Sequence, residues 1–137
     1  MLNFTVSGKL ILIIFLAIFL VHGWATLSAA YFYYRWLDMV VHVMGGLLVG
    51  TIAVYFIRDN NLSPFIVFWF VFGSAAIIGL FLEFFEFAMS HLPAGVSKFG
   101  FISQGLEDTL SDLLSDLIGG ILAFSLFQTR RKNYNNK

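Results

Sequence analysis

Residues 108–120 read DTLSDLLSDLIGG, and the fold turns on whether this stretch lies inside a membrane or outside it. Asp108, Asp112 and Asp116 recur at four-residue spacing, which lines them along one helix face with about 40° between neighbours. If a spanning helix began only after Asp112, the remainder Leu113–Phe127 would fall well short of the ~20 residues that a bilayer requires. The span therefore runs from about Asp108 to Phe127, with Asp112 and Asp116 inside it.

Three further segments upstream have spanning length: Gly8 to about Ala30, Leu37 to Ile57, and Pro64 to about Met89. Of the 137 residues 59% are hydrophobic and 12% charged, with 17 Phe, more apolar surface than a soluble domain of this size could bury. The reading is an all-α polytopic membrane protein, a four-transmembrane-helix bundle over residues 1–127 followed by a basic tail, 128–137. The first segment could instead be a cleavable signal peptide, with Lys9 ahead of the apolar run and LSAA behind it; His22 and Trp24 at the end of that run speak against it.

Basic residues near helix ends set orientation. Lys9, Arg58 and the tail residues Arg130, Arg131, Lys132 and Lys137 belong on the cytoplasmic side, which makes the protein N-in and C-in, a multi-pass protein of the plasma membrane. The outward loops hold only Arg35 and Lys98 as permanent cations, and Trp24, Tyr31, Tyr33, Tyr34 and Trp36 form an interfacial aromatic cluster beside the first. The formal net charge is zero, which gives no footprint for nucleic acid. Without cysteine there is no thiolate ligand, disulfide or Cys nucleophile.

With that topology, a rise of about 1.5 Å per residue sets the depths below the outer surface: His42 about 7 Å, Glu86 about 5 Å, Glu83 about 9 Å, Asp112 about 6 Å, Asp116 and His22 about 12 Å. Asp38 pairs with His42, and Glu83 with Glu86, one helical turn apart on single faces. An ionised carboxylate facing lipid costs several kcal/mol, so these faces point into the bundle. Gly46 with Gly50, and Gly119 with Ala123, have the small-xxx-small spacing that brings helices close.

So many carboxylates cannot all stay ionised in a low-dielectric space without a cation. Imidazole and carboxylates suit a divalent Mg, Mn, Zn or Fe ion, or a pair of them. The candidate ligands are Asp38, His42, Glu83, Glu86, Asp108 and Asp112, with His22 and Asp116 as further members. Simpler roles stand beside this one. Asp108 alone reads as the amino-terminal cap of the fourth helix. Asp116 reads equally well as a protonated acid bonded to a carbonyl of the first or second helix, His22 as a satisfied interior residue, and Glu83 with Glu86 as a proton-pathway pair. His91 reads as a solvated loop residue.

LDMVVHVMGG (37–46), LEFFEF (82–87) and SQGLEDTLSDLLSDLIGG (103–120) together resemble the YjdF-like family of small bacterial membrane proteins and, more loosely, the VanZ-like group. The resemblance covers roughly residues 34–121 and rests on Asp38, His42, Glu83, Glu86, Gln104, Gly105, Asp108, Thr109, Ser111, Asp112 and Gly119. It implies a polytopic membrane fold and assigns no settled activity. Asp116 stands where the pattern has a small or apolar residue and His22 has no counterpart, so both rest on geometry alone.

Three functions follow from this reading. In the leading one a metal-dependent membrane enzyme acts on a lipid or isoprenoid head group at the outer leaflet, with Arg35 or Lys98 steadying an anionic group. No residue is singled out as catalytic. The second is an accessory subunit of a larger membrane complex or a homo-oligomer. The third is an ion or proton-coupled transporter, for which the inner helix halves supply no ionisable residue.

Overall fold

In a computed structural model the backbone is described for residues 6–58, 60–91 and 105–135, and side chains as far as residue 128. Among the described residues five helices follow one another: α1 Gly8–Leu27, α2 Ala30–Tyr33, α3 Trp36–Ile57, α4 Pro64–Ser90 and α5 Leu106–Asn135. Four of them are long and apolar enough to cross a membrane, over Gly8–Leu27, Trp36–Ile57, Pro64–Ser90 and Leu106–Gln128. Helices suit this solvent because each satisfies its own backbone groups where no water can.

Local chemistry sets the helix ends. Ser7 caps α1, its hydroxyl accepting from the Leu10 amide at 3.3 Å, and Ser63 does the same for Ile66 at 3.4 Å ahead of Pro64 at the start of α4. Ala29 stops α1 with a left-handed φ of 55°, so the chain turns into the single turn of α2 before α3 begins. Gly105, at φ 109°, opens α5, a conformation that glycine takes without a Cβ penalty. The helix therefore starts at Leu106, and Asp108 lies in its first turn rather than at the cap. It still meets the positive end of the helix dipole there. Polar side chains within the apolar spans bond back to their own helix, as Thr51 does to the Leu47 carbonyl at 2.6 Å and Ser115 to that of Ser111 at 2.9 Å.

Packing is densest among α3, α4 and α5, while α1 lies chiefly against α3. The α3–α5 crossing is as close as the small-residue spacing predicts. A Cβ added to Gly46 would run into the backbone carbonyl of Asp116, and one added to Gly119 into that of Val43. A Cβ on Gly50 would lie 2.7 Å from that of Ala123. On α4, a Cβ on Gly79 would meet the Asp116 carboxylate, and Ala75 packs on Gly120. One end of the bundle is an apolar core of Val6, Ala53, Val54, Val67 and Val71, closed by Arg58 donating to the Val6 carbonyl at 2.8 Å. The other end carries the buried acidic residues.

Candidate metal centre

Each helix brings its polar residues to that end by the periodicity that made them legible. Asp38 and His42 sit one turn apart near the start of α3, Glu83 and Glu86 near the end of α4, and Asp108, Asp112 and Asp116 along the first three turns of α5. Because α4 runs against α3 and α5, its last turns meet their first. Asp112 and Asp116 are each 2% exposed, His42 6% and Glu83 7%, while Asp38, Glu86 and Asp108 are half-buried. The faces point inward, as the cost of charge against lipid requires.

His42 is the hub. Its Nδ1 lies 3.3 Å from Asp116 Oδ2, and its Nε2 is 4.0 Å from both Glu86 Oε1 and Asp112 Oδ2. The first distance is a hydrogen bond. The other two are too long for one. Two ligand atoms of a tetrahedral ion at about 2.0–2.2 Å each lie ~3.3–3.6 Å apart, so a shared cation would draw these atoms a few tenths of an ångström together. Asp38, His42 and Asp112 each offer one ligand atom within 4.8 Å of the others. Asp112 Oδ2 and Glu83 Oε1 are buried and have no hydrogen-bond partner among the described residues. A buried carboxylate oxygen left bare is expensive unless something charged meets it.

The remaining candidates surround this group. The charge of Asp108 acts on Asp38, Glu83 and Asp112, and Thr109 offers its hydroxyl to Glu83. One imidazole, even when protonated, cannot offset the five carboxylates of Asp38, Glu83, Glu86, Asp112 and Asp116. One nitrogen and several oxygens are a donor set of the kind that suits a divalent cation, and the ligand atoms of Asp38, His42 and Asp112 are close enough to share one.

Asp116 stands behind His42 rather than beside Asp112. Its partner is an α3 side chain, not the backbone carbonyl that the sequence left open. Its carboxylate fits a socket made by Gly79 of α4 and Gly45 of α3, where an added Cβ would lie 3.5 Å from Oδ1. An ionised Asp116 takes its hydrogen bond from Nδ1–H, which leaves Nε2 facing Asp112 and Glu86. Asp116→Asn, which keeps shape but removes that charge, is expected to weaken divalent-metal affinity about 10–100-fold with the bundle intact. Isothermal titration of the purified variant checks this.

His22 is not a member of the three-residue group. Its Nδ1 lies 2.8 Å from the Tyr31 hydroxyl, and the two rings tilt together at 5.7 Å. Burial pushes the Tyr31 phenol above its ordinary value, with the charges of Asp38 and Glu86 adding to the effect. Tyr31 therefore keeps its proton and can donate it to His22. The aromatic-belt reading of the first loop hid this partner. Gly79 also escaped the sequence reading, although Ala75 and Gly79 carry the same small-xxx-small signal as the pairs on α3 and α5. Arg35 is exposed at the start of α3, and His91 caps α4 with Nδ1 2.7 Å from the Phe87 carbonyl. Lys98 and Gln104 lie outside the described residues.

A helical bundle with spans for a bilayer, closed at one end over a buried His–carboxylate cluster, defines a small polytopic membrane protein with a polar centre. The chain belongs to the family described as "Predicted membrane protein (DUF2238)", whose family model matches residues 1–133. No curated protein and no solved structure matches it.

Proposed function

We propose that Asp38, His42 and Asp112, with Glu86 beside them, bind one divalent cation just below the outer surface of the plasma membrane. The observation that carries this is Asp112 Oδ2, buried without a hydrogen-bond partner and 4.0 Å from His42 Nε2. Family membership agrees with the likeness to YjdF-like proteins. The orientation rests on the placement of Lys9, Arg58 and the basic segment 128–137 on the cytoplasmic side.

Held there, Mg, Mn, Zn or Fe would polarise a phosphate or ester oxygen or supply a metal-activated water. The substrate class is a lipid or isoprenoid head group lying in the outer leaflet. Asp38, His42, Asp112 and Glu86 hold the ion, and Asp116 orients His42. Glu83, bare at Oε1, would take a proton from water. Arg35 or Lys98 would steady the anionic group. A transport role has less support: Thr51, a buried polar residue of the inner half, is already bonded to its own helix.

Thermal unfolding in mild detergent tests the metal site. After chelation, Mn²⁺ at about 100 times its Kd is expected to stabilise the wild type by ~2.7 kcal/mol. Asp112→Asn should gain nothing. Equal responses of the two proteins would overturn the assignment.

A further inference from the structure

The polar centre leaves the opposite end of the molecule unexplained. There, an apolar cavity of ≈ 220 Å³ lies between α1 and the α3–α5 pair. Leu10 and Ile14 of α1, Leu47 and Val54 of α3, and Leu126 and Phe127 of α5 form its walls. It exists because α1 is pinned at its two ends and stands off between them. Val6 is held by Arg58 at one end, and Ala25 packs with Ala30 and Leu37 at the other. Ala25 is the one fully buried residue of α1, against seven on α3. Between the pins α1 has α3 for a neighbour and no comparable packing on α5.

A gap of this kind does not stay empty in a bilayer. Water is a poor occupant, since it needs two to four polar partners. The one polar side chain in the lining, Thr51, already gives its hydroxyl to the Leu47 carbonyl at 2.6 Å. The volume exceeds the ~150 Å³ of apolar cavities that stay dry and take up hydrocarbon. The spanning helices around it lie in lipid, so hydrocarbon chains surround the opening. Arg58 stands at that end, its guanidinium 4.0 Å over the Tyr55 ring and bonded to Val6, a wall residue of the cavity. A fixed cation beside an apolar slot is complementary to a phosphate head group with its acyl chain.

We propose that this cavity is a binding site for one acyl chain of a glycerophospholipid, wedged between α1 and the α3–α5 pair with its phosphate toward Arg58. The chain fills the packing that α1 lacks and joins α1 to the bundle. This site is separate from the polar centre and does not depend on a metal there.

Photolabelling tests it directly. The whole protein is reconstituted in vesicles containing phosphatidylglycerol with a diazirine in the middle of its acyl chain, irradiated, digested and mapped by mass spectrometry. Labels are expected on Leu10, Ile14 and Leu47, the half-buried wall residues, at about ten times the yield on outward residues such as Phe65 and Phe81, the ratio given by ~1.4 kcal/mol of preference. In a Leu10→Trp, Ile14→Trp variant, which fills the slot from the less buried helix, labelling of Leu47 should fall to the outward level. Even labelling of wild-type lipid-facing residues would overturn the proposal. So would crosslinks joining these residues to a second copy of the chain, which would make the slot a dimer interface. The wild-type map decides the matter even if the double variant does not fold.

Discussion

Gly46→Val is expected to prevent α3 and α5 from pairing and to cost on the order of 4 kcal/mol or more, enough to remove the folded protein from detergent extracts. The reason is that the obstacle is backbone. A side chain at 46 meets the carbonyl of Asp116, and one at 119 meets that of Val43, so no rotamer change relieves either clash. The helices would have to part, and parting them separates His42 from Asp112 and Asp116. Gly119→Val should therefore fail in the same way. Gly73→Ala is the control, since nothing lies within 4 Å of the added carbon, and it should change stability by less than about 0.5 kcal/mol. Fluorescence-detected size exclusion and thermal unfolding of the three variants read the difference. Comparable loss in all three would mean that the crossing is not the close one described.

His42→Gln carries the second large effect. It removes the only nitrogen donor of the group and the partner of Asp116, while leaving a polar side chain of similar reach. Divalent-metal affinity should fall on the order of 10³-fold, or about 4 kcal/mol. For Asp112→Asn, stability in chelator should move in the other direction from that of a simple packing defect. Without a cation the wild type holds its carboxylates against each other, so removing one of them, as in Asp112→Asn, should leave the chelated protein as stable as the chelated wild type or more so. Chemical unfolding with and without chelator separates the two cases. A buried cluster that served helix registration alone would show no metal term in either protein.

The spans were legible because length and hydrophobicity alone decide them, and the inward faces because a charge turned to lipid is too costly. DTLSDLLSDLIGG forced Asp112 below the surface by the length argument, and it is buried at 2%. What escaped was anything set by the neighbour rather than by the helix itself. Asp116 could be placed on the right face, but whether it met a backbone carbonyl or His42 depended on how far α3 was rotated against α5. Tyr31 looked like one more interfacial aromatic until the left-handed turn at Ala29 folded α2 back toward His22. Helix ends were blurred for a related reason. Asp108 is a good cap by type, yet Gly105 starts the helix earlier, and α5 runs on to Asn135 because Thr, Arg, Lys and Asn do not break a helix.

The most direct test of the polar centre is elemental analysis of protein purified in mild detergent without chelator, beside an Asp112→Asn, Glu86→Gln double variant. The account predicts close to one divalent metal ion per wild-type chain and a loss to background in the variant, with both proteins eluting as folded species. Folded wild-type protein that holds no metal even after incubation with Mn²⁺, Zn²⁺ or Fe²⁺ would contradict it, and so would equal metal in the two proteins.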